Sequence, residues 1–265
     1  MGLNSNAVEA IKTRLANREG MTDEQVMSSV LRLASMWRSK LLANSVKVRN
    51  GAVVQTGPFA GMIYETDATE GALLPRLLGA YESRLHPHIE ALAREGLDQI
   101  VDIGCAEGYY AVGFARLLSE VIVHAFDTDP QAQRACLALA ERNGVADRVK
   151  VSGGFAHADF EAFAGTRSLV FMDIEGGESD LLDPVRAPAL RGLKIIVETH
   201  GGPTDLTDRI AARFTDTHDI IRIDQRPTDA VLPSWFRTLS HLDQLIAVWE
   251  WRVWLTPWLV MRPKA

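Results

Sequence analysis

The chain has 265 residues, 47% hydrophobic and 23% charged, enough to bury one sizeable core with a small accessory part. Its formal net charge of -6, with no run of Lys and Arg, argues against a nucleic-acid partner, because clustered basic side chains are what hold phosphate backbones. Two cysteines, Cys105 and Cys136, can build neither a disulfide framework nor, alone, a structural zinc site, so a reducing, cytoplasmic setting is expected.

From Met1 to Gly20, charged residues interrupt any signal-like apolar run. Helical periodicity then predicts helices over Asn6 to Ala16 and Asp23 to Leu42, the second entered by Thr22 with Gln25 at capping-box spacing. Ser45 to Gln55 alternates valines around Asn50-Gly51, a hairpin-turn dipeptide, and predicts a β-hairpin. One helix is expected from Leu74 to Arg94, ending at Gly96. Residues 1–96 thus form a helical and hairpin extension, expected to act as a lid or oligomerisation element. Residues 97–265 form the main domain.

From Gln99 the pattern changes to short β-branched runs separated by helical stretches, which predicts a Rossmann-like α/β sheet. The strands fall at Gln99 to Ile103, Val121 to Phe126, Val149 to Ser152, Leu169 to Met172, Leu193 to Glu198, Asp219 to Ile223 and Trp258 to Met261. Helices are expected over Ala111 to Leu118, Asp208 to Phe214 and Leu239 to Trp251. The tail from Leu245 to Val260 carries four tryptophans but is broken by Glu250, Arg252 and Pro257, so no membrane partner is expected. Core or interface packing is the expectation for its aromatic rings.

The first strand runs into Gly104-Cys105-Ala106-Glu107-Gly108-Tyr109-Tyr110, a turn whose glycines allow close approach of a ligand to a helix N-terminus. Its G-x-x-x-G spacing lacks the G-x-G-x-x-G of a dinucleotide site, and the acidic Glu107 suits a cationic amino-acid group better than a diphosphate. The second strand delivers Asp127 at its carboxyl end, placed to accept two ribose hydroxyls. Phe155, after Ser152-Gly153-Gly154, falls where an adenine ring would lie.

With Asp102-Ile-Gly-Cys-Ala-Glu-Gly108, Ala125-Phe-Asp127 and Asp173-Ile-Glu-Gly-Gly-Glu178 in this order, the sequence resembles the class I methyltransferases, and among them the FkbM-like family. The resemblance spans about Gln99 to His200. It implies a seven-stranded sheet with an antiparallel last strand and S-adenosyl-L-methionine as cofactor, and the residues expected to hold it are Asp102, Gly104, Cys105, Ala106, Glu107, Gly108, Tyr109, Asp127, Phe155 and Asp173. It also implies O-methylation of a small molecule or sugar.

The acid balance and the lack of an Asn/Asp-Pro-Pro-aromatic motif point the same way, to a small-molecule or glycan acceptor, and a homodimer is a candidate assembly. The strand ending in Val197-Glu198-Thr199-His200-Gly201 opens into polar residues beside the one delivering Asp173. His200 is the expected catalytic base, oriented by Asp173 or Glu175, against the plainer role of capping a turn at Gly201-Gly202. No metal is expected, since neither H-E-x-x-H nor C-x-x-C occurs, although Asp173, Glu198 and His200 would chemically suit a divalent ion. The rival readings are a nicotinamide-dependent oxidoreductase and a non-catalytic partner-binding protein on the same fold.

Overall fold

The computed structural model describes residues 2–66, 72–201, 206–226, 230–252, 254 and 256–264. In chain order it contains α1 (Leu3–Ala16), α2 (Asp23–Asn50), α3 (Leu73–Leu78), α4 (His86–Ala93), β1 (Gln99–Ile103), α5 (Tyr109–Leu117), β2 (Ile122–Phe126) and α6 (Pro130–Arg142). There follow β3 (Val149–Ser152), β4 (Ser168–Met172), α7 (Glu178–Leu181), β5 (Lys194–Glu198), α8 (Leu206–Phe214), β6 (His218–Ile223), α9 (His241–Ala247) and β7 (Trp258–Pro263).

The seven strands form one sheet in the order β3-β2-β1-β4-β5-β7-β6. The first five are parallel, and β7 lies antiparallel between β5 and β6. This is the expected Rossmann-like α/β sheet of seven strands. Alternate residues of each strand enter opposite cores, as the two-residue strand period requires. Ile100, Phe171, Ile196 and Val260 face one core, while Val101, Val170, Val197 and Leu259 face the other. Helices cover both faces, which is why β4 and β5 read as nearly continuous apolar runs.

The capping box at Thr22 and Gln25 forms as expected. The β-hairpin at Ser45 to Gln55 does not. Helix α2 continues to Asn50, because Leu42 and Val46, four residues apart, are both buried on its inner face. Gly51, at φ 73°, ends the helix instead of turning a hairpin. What remains of strand character is a single antiparallel bridge between Val53 and Ile63.

The single helix expected from Leu74 to Arg94 is divided. Gly79 at φ 72° terminates α3, and a Cβ there would lie 1.9 Å from the Thr56 carbonyl oxygen, so close backbone packing breaks the helix. The released segment carries Tyr81 and Glu82 into the interior. The expected boundary at residue 96 does not divide the core: Leu42, Val46, Leu74 and Leu77 share one buried cluster with Phe114 and Phe171. No helix among the described residues is long and apolar enough to cross a membrane.

Candidate functional site

The site lies at the carboxyl ends of β1, β2, β4 and β5, where ligands of doubly wound sheets collect. Gly104, at φ 87°, lets the turn after β1 pass against the chain leaving β4: a Cβ there would fall 1.8 Å from the Asp173 carbonyl oxygen. Ala106 and Glu175 both adopt positive φ, 47° and 55°, an uncommon and strained state outside glycine that often marks functional loops. Asp127 holds the turn in place, its Oδ2 accepting from the Ala106 amide at 2.9 Å and its Oδ1 from the Asp129 amide at 2.8 Å.

These loops enclose a cavity of about 340 Å³, within the usual range of small-molecule sites. Gly104, Ala106, Asp127, Gly154, Phe155 and Asp173 are among its walls. A narrower cleft continues from it past Asp102, Cys105, Glu107, Tyr109 and Asp173. Asp102 is buried with Oδ2 lacking a hydrogen-bond partner; burial, then the nearby Asp127 charge, push its carboxyl up to about 8.

The N-terminal extension closes this cleft. Arg76 and Tyr81 line it, Tyr64 donates its hydroxyl to Glu107, and Arg76 pairs with the same carboxylate at 3.4 Å. Glu107, expected to face a cofactor amine, is thus tied to the extension. Tyr109 sits in a cluster of edge-to-face rings with Phe59, Tyr64, Tyr81 and Tyr110. Gly108 lines neither cavity. It caps α5 at φ 94°, and a Cβ there would meet Cys136 Sγ at 2.8 Å, so close packing by itself accounts for a glycine here.

A third cavity, about 230 Å³, opens on the other side of Asp173 and is lined by Arg32, Tyr81, Glu175, Glu198, Glu250, Trp251 and Arg252. Arg252 reaches into a buried set of carboxylates, donating to Glu82, Glu198 and Glu250. Tyr110 donates to Glu82 as well. Burial and then the Glu198 charge push Glu82 up to about 8 against the pull of Arg252. Asp173 is raised too, by burial first and then by Glu198.

His200 stands beside Asp173 and Glu175, which line both the first and the third cavity. Its Nδ1 is 2.7 Å from Glu178 Oε1, and its Nε2 faces Glu175 at 3.5 Å and Asp173 and Glu198 at 3.6 Å each. Burial pulls its pKa down, but the hydrogen bond to Glu178 and the charges of Glu198, Glu178 and Glu175 outweigh this and raise it. The residue that orients the imidazole is therefore Glu178, with Asp173 and Glu175 beyond hydrogen-bond range. The turn-cap alternative involves Gly202, which lies outside the described residues.

The structure thus brings Asp102, Gly104, Cys105, Ala106, Glu107, Tyr109, Asp127, Phe155, Asp173, Glu175 and His200 to one region. Sequence reasoning missed Arg76, Tyr81, Glu82 and Arg252, which no motif marks. Glu178 had a signal in the D-x-E-G-x-E run, although a glutamate at a helix start is also ordinary. The tryptophans divide: Trp258 is buried on β7 against Phe171, Trp251 lines the third cavity, and Trp254 is exposed.

No family model matches the chain. Over 195 residues it is 28% identical to the ribosomal protein L11 methyltransferase of Methylococcus capsulatus, an alignment covering 71% of this chain and 64% of that protein. Over 122 residues it is 32% identical to the ribosomal protein L11 methyltransferase of Vibrio parahaemolyticus, covering 43% of this chain and 40% of that one. The chain therefore spans less than two thirds of the length of these relatives. The O-methyltransferase from Bacillus cereus, solved in complex with SAH, aligns over 87% of this chain and 91% of that one, with a TM-score of 0.47 and 12% identity. Such a likeness is too distant to bear on chemistry.

The relatives overturn the expected partners. They are named for a ribosomal protein, so their acceptor is a protein and not a small molecule or glycan. The exclusion of nucleic acid falls with it, because a ribosomal protein belongs to an RNA-containing particle. Net charge over a whole chain says little about a partner met at one local face.

Proposed function

We propose that this chain is an S-adenosylmethionine-dependent methyltransferase acting on a protein acceptor. The observation that carries the reading is the position of Asp173: it lines the 340 Å³ cavity, the narrow cleft and the third cavity, so one carboxylate stands where a donor held on one side would meet an acceptor on the other. The residues fit the donor. Asp127 would take the ribose hydroxyls, Phe155 the purine face, and the Gly104 to Ala106 turn with the unpartnered Asp102 oxygen the amino-acid end. When bound, S-adenosylmethionine supplies a methyl group on a cationic sulfur, leaving the protein to position the reactants and set the local field.

Within this reading, residues 1–96 cover the donor and build part of the acceptor side, supported by Arg32, Arg76 and Tyr81 in the cavity walls. Asp173, Glu175 and His200 are the acceptor-side catalytic residues. A protein acceptor is supported by the names of the relatives, and the cytoplasmic setting goes with it. A narrower FkbM-like placement rests on the Asp173 to Glu178 segment alone.

The test combines binding and transfer. Calorimetric titration with adenosylhomocysteine should show one site, and methyl-labelled S-adenosylmethionine should transfer label to a protein within a ribosomal-protein fraction. Binding of NADH in place of adenosylhomocysteine would return the oxidoreductase reading. Binding without transfer to any protein would favour a non-catalytic role.

A further inference from the structure

We infer that Asp173, Glu175 and His200 form a binding site for a divalent metal ion, with Glu198 beside it. The inference deepens the proposed function by naming what these acceptor-side residues hold. One ligand atom from each of the three lies within 4.8 Å of the others. The spacing around His200 is the telling feature. Three carboxylate oxygens surround Nε2 at 3.5–3.6 Å. That is too long for a hydrogen bond. Ligand atoms sharing an ion with bonds of about 2.0–2.2 Å stand about 3.0–3.6 Å apart, so the same spacing suits neighbouring corners of a coordination shell.

Two further observations point to a ligand. Asp173 Oδ1, the oxygen facing Nε2, is enclosed and accepts no hydrogen bond, an arrangement that costs free energy unless a cation meets it. On the far side of the ring, Nδ1 is held at 2.7 Å by Glu178, whose carboxylate is fully buried. A carboxylate on one ring nitrogen fixes the tautomer that leaves the other as a ligand, the usual support of a metal-bound histidine.

The charge balance agrees. Asp173, Glu175, Glu178 and Glu198 gather about one imidazole, while the Arg252 guanidinium is shared among Glu82, Glu198 and Glu250. Glu198 meets Arg252 and Thr256 through Oε1, leaving Oε2 toward His200. Carboxylate oxygens with one imidazole suit a first-row divalent ion such as Mn²⁺. The ion would lie between donor and acceptor cavities, since Asp173 and Glu175 line both. His200 then serves as a ligand and no longer as the base.

The experiment titrates metal-free, full-length protein with MnCl₂ alone, following free Mn²⁺ by electron paramagnetic resonance. One site is expected, weakened at least tenfold in both His200→Ala and Glu175→Gln and unchanged in the remote Glu90→Gln. Glu175 is more than half exposed, so its amide variant should fold even if the His200 variant does not. Failure of the wild type to bind Mn²⁺, or undiminished binding in Glu175→Gln, overturns the inference. Adenosylhomocysteine binding, measured on the same samples, reads the methyltransferase proposal independently: its loss with Mn²⁺ binding intact would sink that proposal and leave the metal site.

Discussion

The two sides of the candidate site, the proposed donor side and the proposed acceptor side, are built on different principles. The donor side is backbone geometry: Gly104 and Ala106 in positive φ and Asp127 bonded to two nearby amides, all contributed by the ends of the adjacent strands β1 and β2. The acceptor side is charge drawn from across the chain, with Arg32, Glu82, Glu198, Glu250 and Arg252 converging on Asp173 and His200. The first is specified locally and tolerates little change in shape. The second depends on many long-range pairs and should respond most to lost charge.

The largest expected effect tests the acceptor side. Arg252→Ala strips the cation from Glu82, Glu198 and Glu250, leaving buried carboxylates uncompensated, and should destabilise the protein by about 3–5 kcal/mol in urea unfolding. Unchanged stability would mean that the charge network is not what holds this half together. On the donor side, Gly104→Ala puts a Cβ against the Asp173 carbonyl at positive φ and should cost about 3 kcal/mol, with adenosylhomocysteine binding lost. Normal binding would show that the turn does not need this shape.

Asp127→Ala should leave a folded protein, because the side chain lies at the edge of the cavity and only its two amide contacts are lost. Charge-assisted hydrogen bonds contribute about 1.5–3 kcal/mol, so calorimetry should report adenosylhomocysteine binding weakened by about 10- to 100-fold. An unchanged dissociation constant would remove Asp127 from the donor site.

A further test of the donor side concerns pH. The folded Asp102 carboxyl is pushed up to about 8, while in the unfolded chain it titrates near its ordinary value of about 3.9. Between these values the native state keeps a proton that the unfolded state has lost, so this group makes stability fall as pH rises from about 4 to 8. Asp102→Asn should flatten that part of the curve, measured as the difference between variant and wild type in urea midpoints at pH 5 and 8. Parallel curves would place Asp102 in a wetter setting than its burial indicates.

The same division governs what could be read in advance. All seven strands, the Gly104 turn and Asp127 were legible because each follows from residues a few positions apart: β-branched runs, glycine spacing, a carboxylate at a strand end. The valines of Ser45 to Gln55 misled because Asn50-Gly51 suits both a hairpin turn and a helix end, and burial of Val46 chose the helix. Tyr81 and Glu82 were invisible as site residues, since Gly79 breaks their helix only through contact with the backbone of Thr56.

From the sequence alone came the α/β class, the places of the seven strands along the chain and the glycine turn after β1, because periodicity and glycine conformation are properties of short stretches of chain. Tertiary structure alone decided that Glu178 and not Asp173 orients His200, that Arg252 compensates Glu82 from 170 residues away, and that the extension pins Glu107. Such pairings form only when distant side chains leave water together. Their strength comes from that shared burial, which no local pattern encodes.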